Sequence, residues 1–361
     1  MAGKSGARPR STSLALAVIA LTGILLLGTA GCGISSAVDQ DAAGKPLELK
    51  LAHFWPSGHP IETELVQPWA KEIEKATDGR VKIVSYPQET LAKANDIYDG
   101  VVNGVCDIGI SCFSYTRGRF PVLEVFELPG IIYNNSKVAS RVAWEGIQEL
   151  NPAEIQDTKL LMVFTTGPGA LFTKTPVSKL SDLKGMEIRA TGLSAKTLAA
   201  LGASPVGMAQ SEAYESLSKG VVKGNLGPIE VLQGWKQAEV TRYITITPFL
   251  YNTLFFVTMN KEVWDSLKPE DQAAIEEVNK EYFDIASGLW DQQNEAALKY
   301  AVEEEGMQVI NLSDEEIRQW IKLVTPVQQE YIEAMEKLGL NGKEILDTVK
   351  ALADKYNAQY K

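Results

Sequence analysis

Apolar and polar positions follow two rhythms along the chain. Residues 47–54 (LELKLAHF) form an apolar, extended run, and 80–86 (RVKIVSY) alternate as a half-buried strand does. Between them, 61–76 place Leu65, Trp69 and Ile73 on one helical face and stop at Asp78-Gly79. Residues 91–103 read as a helix ended by Gly104, and 107–111 as a third strand. The order β-α-β-α-β predicts a mostly parallel sheet covered by helices.

A second unit opens near Leu160. Residues 160–166 (LLMVFTT) are near-continuously apolar, as in a strand buried on both faces, and the breakers Gly167-Pro168-Gly169 follow. Short strands are expected at 186–189 and 254–260, and helices at 194–201 and 211–219, closed by Gly202 and Gly220. From Pro269 a helical pattern continues to Glu305 with only Gly288 as a breaker. At a rise of about 1.5 Å per residue it would span roughly 55 Å, so it either breaks near Gly288 or crosses two lobes. Ser313 with Glu316 starts another helix, which Pro326 should kink or break, and Asn341-Gly342 precede a last one over 343–358.

Composition narrows the class. The chain has 361 residues, 45% hydrophobic and 22% charged, which suits two packed domains and excludes disorder. A net charge of −11 without a basic block excludes nucleic acid as a partner. Two histidines leave little for metal binding or acid–base catalysis, and no nucleophile elbow, phosphate loop or zinc motif occurs. His53 and His59 read as structural, and neither a metal nor a cofactor is expected.

Residues 1–31 read as an export leader. Lys4, Arg8 and Arg10 precede an apolar stretch at 13–27 that ends in Thr29-Ala30-Gly31-Cys32. This resembles a bacterial lipobox, with Cys32 lipidated as the first mature residue, although Thr29 replaces the usual leucine. Loss of those three cations takes the net charge from −11 to −14. Residues 32–46 are small and polar and form a tether. Cys106 and Cys112 would lie roughly 20 Å apart along an extended strand at about 3.3 Å per residue, so two buried free thiols are expected.

Five segments in order carry a family resemblance: LKLAHFWPSGHP, KATDGRVKIVSYP, GVVNGVCDIGI, LSDLKGMEIRATG and LGASPVGMAQSEAYESLSKGVVKG. Residues 47–361 resemble the solute-binding subunit of tripartite ATP-independent periplasmic (TRAP) transporters. The resemblance implies an α/β, two-lobed periplasmic-binding-protein-like clamshell with a long helix bracing both lobes. Residues 47–164 would form lobe 1, with 252–285 returning to it. Residues 165–251 would form lobe 2, and 286–361 would pack helices across both. The implied function is non-enzymatic capture of an organic acid and its delivery to TRAP permease subunits, by a monomer held at the membrane surface through its lipid. The same clamshell serving a receptor kinase as a sensor is the alternative, and an exported enzyme a remote one.

The resemblance also marks a site. Arg189 ends a short strand just before a helix, where a guanidinium can hold a carboxylate with two parallel bonds. It matches the carboxylate-binding arginine of the family. Phe54, Trp55, Tyr115 and Trp235 fall in segments that face the cleft in relatives, and Thr166, Thr191, Gln210 and Asn252 are small polar residues where relatives touch ligand. Two departures matter. Gly227 stands where relatives often carry an asparagine, and Ala170-Leu171 where many have a second arginine. Both favour a monocarboxylate with an apolar or aromatic part.

Overall fold

The computed structural model describes residues 45–360. The leader, Cys32 and most of the tether lie outside the described residues.

The first strand, β1 (Leu47–His53), is followed by a π-helical turn, Ile61–Val66, that continues as α1 (Gln67–Ala76). Pro68 lacks an N–H, and just before it the Gln67 N–H reaches back five residues to the Glu62 carbonyl. Next come β2 (Val81–Tyr86), α2 (Ile97–Val102), β3 (Ile108–Cys112), α3 (Ser136–Leu150) and β4 (Thr158–Thr165). Then follow β5 (Ala170–Thr173), β6 (Glu187–Ala190), α4 (Gly192–Ala200), β7 (Ser204–Gly207), α5 (Gln210–Lys219) and β8 (Gly224–Gly227). The remainder is α6 (Val231–Gly234), β9 (Tyr243–Ile246), β10 (Leu254–Asn260), α7 (Lys261–Ser266), α8 (Pro269–Glu303), β11 (Gln308–Asn311), α9 (Asp314–Lys337) and α10 (Gly342–Gln359).

Two sheets result, one per lobe. The first runs β2-β1-β3-β10-β4, with β1, β2 and β3 parallel and β10 antiparallel to both neighbours. The second runs β11-β9-β5-β8-β6-β7, with β5 antiparallel to β8 and β9. Lobe 1 is thus mostly parallel, as its element order implies. The helix expected over 91–103 begins only at Ile97, because Ala94 N–H bonds the Glu89 side chain and Asp96 N–H closes a turn on Lys93.

The chain crosses between lobes at 166–169 and again at 247–253. The crossings pair: Thr166 N–H donates to the Thr253 carbonyl, and Thr253 N–H donates to Thr166 Oγ1, both at 3.2 Å. Gly167 has φ +69°, and a Cβ there would meet the Ser136 backbone nitrogen at 2.6 Å. Only glycine fits this passage against the start of α3.

Helix α8 is continuous for 35 residues, about 52 Å. Gly288 does not break it, and the boundary drawn at 285/286 falls inside it. Its Ile275, Tyr282, Phe283 and Trp290 pack in the lobe 1 core, and Ala301 joins Phe172 and Ile244 in lobe 2. Nor does Pro326 break α9. Before it, Trp320 and Val324 pack in lobe 2; after it, Val327, Tyr331 and Met335 pack in lobe 1. Both long helices therefore brace the clamshell. No helix of the described residues is long and apolar enough to cross a membrane.

Candidate functional site

Arg189 lies on β6, directly opposite Asn225 of β8 in the ladder. It is 2% exposed. Its Nε donates to the Met208 carbonyl at 3.1 Å, one terminal nitrogen to Asn225 Oδ1 at 3.4 Å and the other to Tyr115 Oη at 3.3 Å. Three of the five N–H groups are used, which leaves two. Among the described residues, no carboxylate forms an ion pair with it. A buried guanidinium without an anion is costly, so its surroundings are built for one.

Those surroundings are a cavity between the lobes with about 330 Å³ of unfilled space, mouth included. That is at the small end for ligand pockets. Of the ten residues expected from sequence, Phe54, Trp55, Tyr115, Thr166, Arg189, Thr191, Gln210 and Trp235 line it. Tyr115 comes from lobe 1, just after β3, and its hydroxyl accepts the Gln210 backbone N–H of lobe 2 at 3.0 Å as well as the Arg189 bond. Burial pushes its pKa up, so it stays a proton donor. Thr191 follows β6 and caps α4, with its backbone N–H on Ser194 Oγ at 2.9 Å. The helix thus starts at Gly192, two residues earlier than the sequence suggested.

The remaining two stand elsewhere. Asn252 turns into lobe 1, donating to the Phe126 carbonyl at 3.0 Å, and is not among the lining residues. Gly227 sits behind the wall. A Cβ on it would meet Asn225 Nδ2 at 3.1 Å. Asn225, two residues earlier on the same face of β8, fills the space a side chain at 227 would use, and it orients Arg189. Strand period would have revealed Asn225, had β8 been recognised.

The aromatic wall is continuous. Phe54 stacks on Trp55 with centroids 4.1 Å apart and meets Tyr115 edge-on at 5.6 Å. Across the cleft, Trp235 faces Phe54 at 6.1 Å with planes 23° apart. Phe255 and Trp290, unmarked in the sequence, extend it, stacked 5.4 Å apart. Cys112 also lines the cavity; it and Cys106 are free, and burial pushes both thiols up, Cys106 to about 12. Pro228, Glu230, Val231, Tyr251 and Thr253 complete what sequence reasoning missed. His53 and His59 are buried, bonded respectively to Glu62 and Glu230. Among the described residues no cluster of His, Cys, Asp or Glu could hold a metal ion.

Two sheeted lobes with paired crossings, closing on an anion-ready cavity, define an extracytoplasmic solute-binding protein. Residues 51–334 match the family described as "Bacterial extracellular solute-binding protein, family 7". The chain belongs to that family, the TRAP-type solute-binding proteins, which are transport carriers rather than enzymes and work with a membrane permease. It is 27% identical over 326 residues to the C4-dicarboxylate-binding periplasmic protein DctP of Rhodobacter capsulatus, covering 88% of this chain and 94% of that one. Two solved structures are similar, each with TM-score 0.82. One is a marine-metagenome TRAP protein, specific for aromatic acids and complexed with 3-hydroxybenzoate (31% identity; 87% and 99% of the two chains). The other, from Rhodoferax ferrireducens T118, holds copurified benzoate (28% identity; 87% and 100%).

Proposed function

We propose that the chain captures an aromatic monocarboxylic acid and hands it to the membrane subunits of a TRAP transporter. The observation that carries this reading is Arg189: a buried guanidinium with two unused N–H groups and no acidic partner among the described residues. The ligand carboxylate takes those two groups as a bidentate pair, with the Tyr115 hydroxyl as a third donor. The ring lies among Phe54, Trp235 and Phe255. Ala170 and Gly227 add no second cationic or amide contact, which speaks against a dicarboxylate. That the two similar structures hold benzoate and 3-hydroxybenzoate supports the same class.

The leader and Cys32 belong to this proposal: cleavage before Cys32 and its acylation would tether the binding domain to the membrane through 32–46. Native mass spectrometry of the purified protein, followed by calorimetry with benzoate, tests the ligand class. Release of an aromatic acid and saturable benzoate binding are expected. Absence of binding to any aromatic acid would overturn it.

A further inference from the structure

Glu230 lines the same cavity and has no part in the carboxylate reading. It is 2% exposed and precedes α6 in lobe 2. Its Oε1 is bonded to His59 Nε2 of lobe 1. His59 Nδ1 accepts the Ile61 backbone N–H at 3.1 Å, which places the neutral ring's proton on Nε2, donating to Glu230. The second oxygen, Oε2, is buried and has no hydrogen-bond partner in the protein, although Glu230 lines the cavity.

A second unpartnered group shares the cavity. Trp290 Nε1 is buried, unbonded and on a lining residue. Trp290 and Asn294 lie one turn apart on α8, and Asn294 Oδ1 accepts the Glu230 backbone N–H at 2.9 Å. Trp290 thus shares a helix face with the residue that holds the Glu230 backbone, and Trp290 and Glu230 both line the cavity. Leaving buried polar groups unpaired is costly, so an acceptor and a donor in one cavity imply a bonding partner. A hydroxyl satisfies both, donating to a carboxylate oxygen and accepting from an indole N–H.

We propose that Glu230 sets specificity, selecting acids that carry a hydroxyl or N–H donor on the ring over their unsubstituted parents and rejecting a second carboxylate. The inference rests on the carboxylate reading of Arg189, since it assumes that the acid end is held there. A ligand carboxylate brought to Oε2 would set acceptor against acceptor in a dry cavity, which excludes a dicarboxylate by repulsion.

Calorimetry on the parent protein and Glu230→Gln tests it with 3- and 4-hydroxybenzoate against benzoate, 3- and 4-hydroxyphenylacetate against phenylacetate, and isophthalate. In the parent protein at least one hydroxy acid should bind about 10- to 100-fold tighter than its own parent acid, and isophthalate more weakly than benzoate. Glutamine can still accept from His59 but turns an amide donor to the cavity, so the preference should fall to about threefold or less. Thermal melting of the variant checks its fold, and should it not fold, the matched pairs in the parent protein still decide. Equal binding of every pair, or a preference that survives in Glu230→Gln, overturns the role of Glu230 and leaves the carboxylate reading standing. If none of the acids binds, the carboxylate reading itself fails, and this one with it.

Discussion

At the scale of single residues, the energetics of the cleft centre on Arg189. Truncating one member of a buried, hydrogen-bonded charge pair costs about 2–5 kcal/mol, or roughly 30-fold to several thousand-fold in affinity. Arg189→Ala should therefore abolish measurable binding of an aromatic acid. Arg189→Lys should also bind poorly, because an ammonium cannot reproduce the planar fork. Calorimetry on the three proteins decides; near-equal dissociation constants would sink the carboxylate clamp. Glu127 gives a second prediction. Burial, with a smaller push from Glu124, raises its pKa to about 8, although Oε1 accepts the Leu254 N–H at 2.9 Å. The folded state holds this proton and the unfolded chain releases it near its ordinary value of 4.5. Stability is therefore lost as pH rises from about 4.5 through about 8, by on the order of 1 kcal/mol per unit. Glu127→Gln should flatten that slope in urea titrations at pH 5 to 8; parallel curves for the two proteins would contradict it. Residues with a distinctive chemistry beside a strand end, such as Arg189, were legible in the sequence. Glu230 and Trp290 were not, because a glutamate in a loop and a tryptophan on a long helix look like surface and core until the lobes are brought together.

Elements follow from the chain when their pattern is long. Strands β1, β2, β4 and β10 and helices α8 to α10 show their periods plainly. Strands β7 and β8 are four residues each, SPVG and GNLG, and carry no alternation that could mark them. They exist because their sheet partners, β6 beside β7 and β5 and β6 on either side of β8, supply what their own side chains do not. Pro326 misleads in the other direction: a sequence rule that breaks a helix yields to packing on two lobes at once. The crossing at 166–169 shows the reverse, a breaker whose geometry is required. Gly167→Ala forces a Cβ into the start of α3 with φ in the left-handed region, and should cost about 2–4 kcal/mol of stability. A loss below about 1 kcal/mol in urea unfolding would mean that the crossing relaxes freely.

At the scale of the whole molecule, the cleft is closed by contacts between lobes that differ in kind: Tyr115 to Gln210, His59 to Glu230, Phe54 facing Trp235. A ligand that adds bonds to both sides shifts the population toward this closed form. X-ray scattering should show a smaller radius of gyration on adding an aromatic acid; an unchanged curve at saturation would count against closure. For the proposed anchor, Cys32→Ser should move the protein from the membrane fraction to the soluble one with its ligand affinity retained, and persistence in the membrane would refute acylation there.

The order in which the first sheet is completed bears on export. Strand β10 sits between β3 and β4, yet it is made after every strand of lobe 2 except β11, and α10, the last helix, packs on α3. Lobe 1 cannot close its sheet until Asn260 has emerged from the ribosome, nor cover α3 until nearly the whole chain has followed. Such wiring leaves no finished lobe 1 to jam a narrow conduit. A protein that works beyond the cytoplasmic membrane gains from this, because its core is assembled only after the chain has been threaded through.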